Sequence, residues 1–224
     1  QPLGRHAVAF EAPQDRHPEG RGIAVAMHED DGRHDKLRGR GDGRAAGVRV
    51  DGRDVTADVV VSNADAAVLY GRLLPRGAVG GAQRRARRTP RSMAGFVLLL
   101  GLTGREPGPA HRVYFPADYD AEFDAIFQHG RLPAEPTIYV CAQDRDDRGA
   151  RTGEGAERLQ LIVNAPANGD GPGPDAAAIA ACEAATFDLL RRCGLDIART
   201  SDTALLVTPA TYEGLFPATG GAPF

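Results

Sequence analysis

Cysteine, histidine and serine carry much of protein chemistry, and here none of them stands in a reactive context. Cys141, Cys182 and Cys193 make an odd number with no C-x-x-C spacing. That fits buried or incidental thiols in a reducing compartment better than a disulfide framework, and nothing near them in sequence would lower a thiol pKa. His6, His17, His28 and His34 are scattered along the first part of the chain, and His111 and His129 are isolated. No pair has the spacing that puts two imidazoles on one helix face, so no metal site is expected. Ser62 and Ser92 lack the G-x-S-x-G context of a nucleophile elbow; Ser62 reads as a strand-end hydroxyl bonded to local backbone. No G-x-G-x-x-G opens a helix after a strand. Gly39-Arg-Gly-Asp-Gly43 is glycine-dense, but no strand pattern precedes it and no helix pattern follows. These residues contain no ordinary cradle for a pyrophosphate.

Charge excludes little but points away from nucleic acid. The formal net charge is −3, and counterion release needs a basic surface. Arg84, Arg85, Arg87 and Arg88 lie in a stretch from Gly77 to Thr89 that reads as a loop. Without interleaved aromatics the run reads as solvated, or as a patch drawn to anionic lipid at about 1 kcal/mol per arginine near the surface. The chain has 224 residues, 42% hydrophobic and 25% charged, which is ordinary for a globular protein. Its 28 glycines and 16 prolines imply many turns. No apolar run reaches the roughly 18 residues that a membrane-crossing helix needs, and no leader is readable, so the location expected is cytoplasmic, or peripheral at the inner face of a membrane.

The elements that would position these residues begin in earnest after residue 43. Residues 1–43 are crowded with Arg, His, Gly, Asp and Glu and lack sustained apolar periodicity; they read as disordered or as an out-of-frame stretch. Val48 and Val50 flank Arg49 in a strand, Asp51-Gly52 is a hairpin turn, and Val55 opens the return strand. Ala57-Asp-Val-Val-Val-Ser-Asn-Ala-Asp65, an apolar run closed by polar residues, reads as a strand buried on both faces of a parallel sheet, and a helix follows from Ala66 to Leu74. Further strands are expected at Ser92–Gly101, His111–Phe115, Thr137–Ala142, Leu159–Asn164 and Ala204–Thr208, with a polar loop from Asp144 to Glu157. Tyr119, Phe123, Ile126 and Phe127 fall on one apolar helix face behind an Asp118 N-cap. A second helix runs from about Ala176 to Cys193, capped by Asp175 and stopped by Gly194, with Ile179, Cys182, Thr186, Leu189 and Leu190 inward.

Several segments, in order, carry a family wording. They are Gly43-Arg-Ala-Ala-Gly-Val48, Ala57-Asp-Val-Val-Val-Ser-Asn-Ala-Asp65, Ser92-Met-Ala-Gly-Phe-Val-Leu-Leu-Leu-Gly-Leu102, Val113 to Phe127, and Thr208 to Ala222. Together with Tyr139-Val-Cys-Ala-Gln-Asp-Arg145 and Val163-Asn-Ala-Pro166 they resemble the phytoene desaturase family of carotenoid oxidoreductases. The last two segments are most similar to its hydroxy- and methoxyneurosporene dehydrogenase branch, the 1-hydroxycarotenoid 3,4-desaturases. The resemblance covers Gly43 to Phe224 and omits the family's N-terminal glycine fingerprint and its C-terminal flavin-contacting glycine segment. It implies a middle portion of a longer protein and an incomplete fold: α+β, with a mixed, largely antiparallel substrate-domain sheet bearing helices on one face, and part of a parallel, Rossmann-like FAD-binding sheet. The implied divisions are 1–43 as above, 44–90 as a remnant of the FAD-binding domain, and 91–224 as the carotenoid-binding domain.

The function so implied is FAD-dependent desaturation of an acyclic carotenoid, in which a hydride and a proton leave neighbouring carbons and FAD is the hydride acceptor. Residues 1–224 by themselves are expected to be inactive, because the cofactor cradle is absent from them. A long polyene needs an apolar slot, and Val97, Leu99, Tyr114, Ile138, Tyr139, Val140, Leu161 and Val163 are candidate walls, with Phe216 and Tyr212 near one end. For each strand residue the alternative is ordinary core. Asp144 and Glu213 are weighed as proton acceptors, but both read as solvated charges and no catalytic base is identified. Another flavin amine-oxidase-like oxidoreductase and a cofactor-free α+β binding domain remain open. Only Gly22-Ile-Ala-Val25, within the first stretch, resembles the family. Resequencing the encoding DNA is expected to reveal a frameshift nearby; an unchanged frame would remove that idea.

Overall fold

The computed structural model describes residues 23–26, 36–39, 44–50, 52–62, 64–74, 80–102, 108–146, 148–152, 157–197 and 204–222. Most of the segment 1–43, with His6, His17, His28 and His34, lies outside them. The chain divides into two compact units, residues 1–90 with 215–218, and residues 91–214 with 219–224.

In the first unit, β1 (Ile23–Ala26) pairs in parallel with β5 (Val59–Ser62). β2 (Lys36–Gly39), β3 (Ala45–Val50) and β4 (Arg53–Thr56) form an antiparallel sheet. Two strands therefore lie inside the stretch read as disordered or out of frame. The Asp51-Gly52 turn is where expected, with Val50 paired to Arg53. Gly47 is a position only glycine fits: φ is 144°, and a Cβ would lie 2.0 Å from the Val55 carbonyl oxygen. Val48 and Ala57 form a small core with Val55 and Val60. β5 departs from its expected setting, because Val59 and Val61 are 51% and 49% exposed rather than buried on both faces. The physical reason is that β5 has one hydrogen-bonded neighbour among the described strands, not two flanking strands and two covering layers. Asp65 caps α1 (Ala66–Val68) by accepting from the Ala67 amide, and the helix continues as a π-type turn, Leu69–Leu73.

The stretch expected to be a loop contains α2 (Gly80–Arg88). Alanine, glutamine and arginine are good helix formers, but the helix buries no residue, so no apolar stripe announced it.

The second unit is built on a five-stranded antiparallel sheet in the order β10-β6-β9-β8-β7. Its strands are β6 (Ala94–Leu102), β7 (His111–Tyr114), β8 (Ile138–Ala142), β9 (Glu157–Ala165) and β10 (Ala204–Val207). β9 alternates buried and less buried residues without interruption, and β8 does the same. One face is sealed by α4 (Ala176–Arg192). Phe96, Leu98, Leu100, Ile138, Val140, Leu159, Leu161 and Val163 pack there with Cys182, Leu189 and Leu190. The α4 side chains inward are those its spacing assigns, with Ile179 partly buried at the margin. Asp175 caps α4 by accepting from the Ala178 amide at 2.8 Å.

α3 (Tyr119–Phe123), capped by Asp118 and continued by a π-type turn over Asp124–Gln128, keeps Ile126 inward as expected but leaves Tyr119 and Phe127 exposed. Its buried side is Glu122, Ala125 and Ile126. The aromatics form an outward ladder, Phe115–Tyr119–Phe123–Phe127, with ring centroids 4.9 to 6.1 Å apart. The carboxylate decides this: Glu122, 1% exposed, accepts from Thr137 Oγ1 at 2.5 Å and from Asn164 Nδ2 at 3.1 Å. A buried carboxyl without such donors costs far more than an exposed aromatic ring.

The polar loop after β8 also has a buried closure. Arg145 and Glu157, whose side chains are 1% and 0% exposed, form a 2.6 Å ion pair, and Arg145 also donates to the Gly108 carbonyl. The architecture is thus α+β with predominantly antiparallel sheets. Strand alternation predicts that Leu161→Ala lowers the unfolding free energy by about 2–5 kcal/mol in urea denaturation. Val113→Ala, on the opposite face, should change it by no more than about 0.5 kcal/mol.

Candidate functional site

The sheet face away from α4 is the candidate site. Register places Leu205, Leu99, Gln160, Cys141 and His111 side by side across β10, β6, β9, β8 and β7. The next row is Val207, Val97, Ile162, Tyr139 and Val113. Neither row holds a charged carboxylate, lysine or arginine. Leu205 is 46% and Val113 50% exposed, and Leu99, Ile162, Tyr139 and Val207 are half-buried. One margin is occupied by Tyr212 of α5 (Pro209–Leu215), whose ring lies 4.0 Å from where a Cβ on Gly95 would be. Glu122 of α3 marks another, through Thr137 and Asn164. The exposed apolar residues of these two rows, Leu205 and Val113, lie on the two edge strands, with half-buried apolar residues between them.

The candidate wall residues divide between the two faces. Leu99 and Tyr139 come together on the open face, both half-buried; Val97 shares their parity but is only 3% exposed. Ile138, Val140, Leu161 and Val163 are fully buried beneath α4, and Tyr114 packs against the same core, so these five cannot line a slot on the other side of the sheet. Phe216 is 54% exposed and lies in the first unit. Sequence reasoning missed Ile162, Val113, Val207, Leu205, Gln160 and His111. The alternation within β9 was available as a signal, but it does not say which parity faces the helix.

Polar groups gather toward β7 and β8. The Tyr139 hydroxyl and His111 Nδ1 share a 2.7 Å hydrogen bond, with the rings stacked at 5.9 Å. Desolvation, then the Cys141 thiol beside it, holds the Tyr139 hydroxyl above its ordinary pKa. Gln143 donates to Gln160 at 3.0 Å.

The two acids weighed as proton acceptors are otherwise engaged. Asp144 takes Arg158 bidentately and accepts the Arg158 amide; these contacts hold its pKa below the usual carboxylate range. Glu213 accepts from the amides of Thr219 and Gly220, fixing the turn after α5. Burial pushes the Cys182 thiol up to about 11, so it is inert at neutral pH.

The described residues do not fit a dinucleotide. The strand-to-helix turn from β5 to α1 reads Ser62-Asn-Ala-Asp65, with no glycine to let a pyrophosphate approach, and α1 spans only three residues. α2 presents Arg84, Arg85 and Arg88 beside Thr89 around a shallow depression. Among the described residues no helix is long and apolar enough to cross a membrane.

No family model matches the chain. Among curated proteins the chain is similar to hydroxyneurosporene and phytoene desaturases. More particularly, it is 44% identical to the hydroxyneurosporene desaturase of Rubrivivax gelatinosus over 187 residues, 81% of this chain and 34% of that protein. Identity to the hydroxyneurosporene desaturase of Cereibacter sphaeroides is 35% over 184 residues, 80% of this chain and 35% of that one. The phytoene desaturase of Fusarium fujikuroi is 32% identical over 122 residues, 54% of this chain and 21% of the relative. The chain spans about a third of the length of the hydroxyneurosporene desaturases it matches.

The Asp144–Arg158 contact makes a pH prediction. The folded-state pKa is depressed, so the stabilisation is complete above the carboxyl's unfolded value of about 3.9 and is lost as pH falls through the lower folded value. Asp144→Asn should therefore destabilise the protein at pH 7 in chemical denaturation, with the difference from wild type vanishing in strong acid. A difference that persists unchanged at low pH would contradict this assignment.

Proposed function

We propose that the open face of the five-stranded sheet is one wall of a slot for an acyclic carotenoid. The protein is read as a flavin-dependent desaturase acting on CH–CH bonds in carotenoid biosynthesis, of the hydroxy- or methoxyneurosporene type. The observation that carries this is the uncharged row Val207–Val97–Ile162–Tyr139–Val113 on the face opposite α4, in which Ile162, Tyr139, Val207 and Val113 are half-buried or exposed and Val97 is buried, in a chain similar to hydroxyneurosporene desaturases over 81% of its length. In this reading residues 91–224 are the substrate-binding domain, and the β1–β5 pair with its surroundings, residues 44–90 included, is part of the FAD-binding domain. The flavin supplies the redox chemistry when bound; the described turn from β5 to α1 has no glycine to take its pyrophosphate. The chain's own part is to exclude water from the polyene and to orient it.

Attachment to the inner face of a membrane belongs to the same proposal, since the substrate dissolves in lipid. Two surface features support it: the α2 arginines, worth about 1 kcal/mol each near anionic lipid, and the exposed rings of Phe115, Tyr119 and Phe127, apolar groups of the kind an interfacial segment buries among acyl chains.

Expression of the full-length protein in a host that makes neurosporene or its 1-hydroxy derivative tests the reading. The expected result is a bound flavin absorbance and a pigment with one added double bond. Ile162→Asp, which places a charge in the slot, should cut conversion at least about a hundredfold without loss of flavin. Flavin-loaded protein that leaves the pigments unchanged would overturn the proposal.

A further inference from the structure

The open face is not uniform along its length. Across the four gaps between its five strands, about 19 Å, it runs from aliphatic to hydrogen-bonding. The β10 and β6 end carries Leu205, Val207, Leu99 and Val97, whereas the β8 and β7 end carries Tyr139, Cys141 and His111. The Tyr139 hydroxyl and His111 Nδ1 already share a hydrogen bond, and among the described residues His111 Nε2 has no other partner. A phenol and a neutral imidazole together offer one donor and one acceptor, the complement of an alcohol. The backbone ladder pairs Val113 with Tyr139 and His111 with Cys141 without help from these side chains, so the contact is not needed to join the two strands. Two acids border this face: Asp144 is held bidentately by Arg158, and Glu122 is 1% exposed with both oxygens occupied by Thr137 and Asn164.

We infer that the Tyr139–His111 pair is the subsite that receives the terminal hydroxyl of a hydroxylated acyclic polyene, with the hydrocarbon chain running from it over Ile162 and Leu99. This rests on the proposal above that the face holds a carotenoid. It adds that the polar end lies at β7–β8, and that Tyr139 and His111 select a hydroxylated chain over the corresponding hydrocarbon. Neither residue is assigned a role in bond breaking.

The test is a titration of the flavin-loaded, full-length protein with a 1-hydroxylated acyclic carotenoid and with the same carotenoid lacking the hydroxyl, followed through the polyene's visible absorbance. Wild type should bind the hydroxylated compound more tightly. Tyr139→Phe should weaken that binding about tenfold while changing the hydrocarbon by less than about twofold. His111→Phe should do the same, and His111→Gln, which keeps a hydrogen-bonding side chain, should recover part of the loss. Circular dichroism and flavin content identify any variant that fails to fold, in which case the His111 pair of variants decides. Equal losses for both ligands, or an unchanged ratio, would overturn the subsite while leaving the carotenoid reading intact. Wild type that binds neither ligand would overturn both.

Discussion

The second unit depends on one geometric constraint: side chains alternate across a β-strand, so a helix can seal only one parity. α4 takes the even-numbered residues of β6 and β8 and the odd-numbered residues of β9, and buries them almost completely. The opposite parity keeps valine, leucine, isoleucine and tyrosine; Val97 among them is buried, whereas Leu99, Ile162 and Tyr139 are half-buried. A one-residue slip in any of these strands would exchange the two sets. Register, set by the β6–β9 and β8–β9 ladders, is therefore what separates a core from a binding surface.

Charge is arranged around this sheet and kept off its apolar rows. Arg145–Glu157 closes the loop between β8 and β9 out of solvent, and Glu135 joins the C-terminal end of α4 through Arg192. Arg91 grips Asp170 bidentately beyond the end of β9. The exposed pairs contribute little each, whereas the buried one is costly to break. A frame of this sort leaves the open face available to an apolar ligand, with hydrogen-bonding capacity concentrated at one end.

Much of this was legible in the sequence. The strands of the second unit, the Asp118 and Asp175 caps, the α4 inward residues and the Asp51-Gly52 turn follow from local patterns, and local patterns survived because neighbouring elements agree with them. What was not legible depended on partners distant in sequence. Leu161 and Ile162 are adjacent aliphatics, and only the position of α4 tells which is core. The aromatics of α3 read as its buried face because nothing local reveals that Glu122 has Thr137 and Asn164 waiting for it. Glu157 read as the end of a polar loop because Arg145 lies across that loop. α2 was missed because an arginine helix has no apolar stripe to find. The His111–Tyr139 contact joins two strands through side chains, and neither residue carries a local signal of it.

The central claim is that the polyene lies on the parity opposite α4, and the most direct measurement is a structure of the full-length protein with an acyclic carotenoid bound. The expected result is a chain in van der Waals contact with Leu99, Ile162 and Tyr139 and out of reach of Leu161 and Val163. A carotenoid seated between the sheet and α4, or bound without touching this sheet, would contradict it.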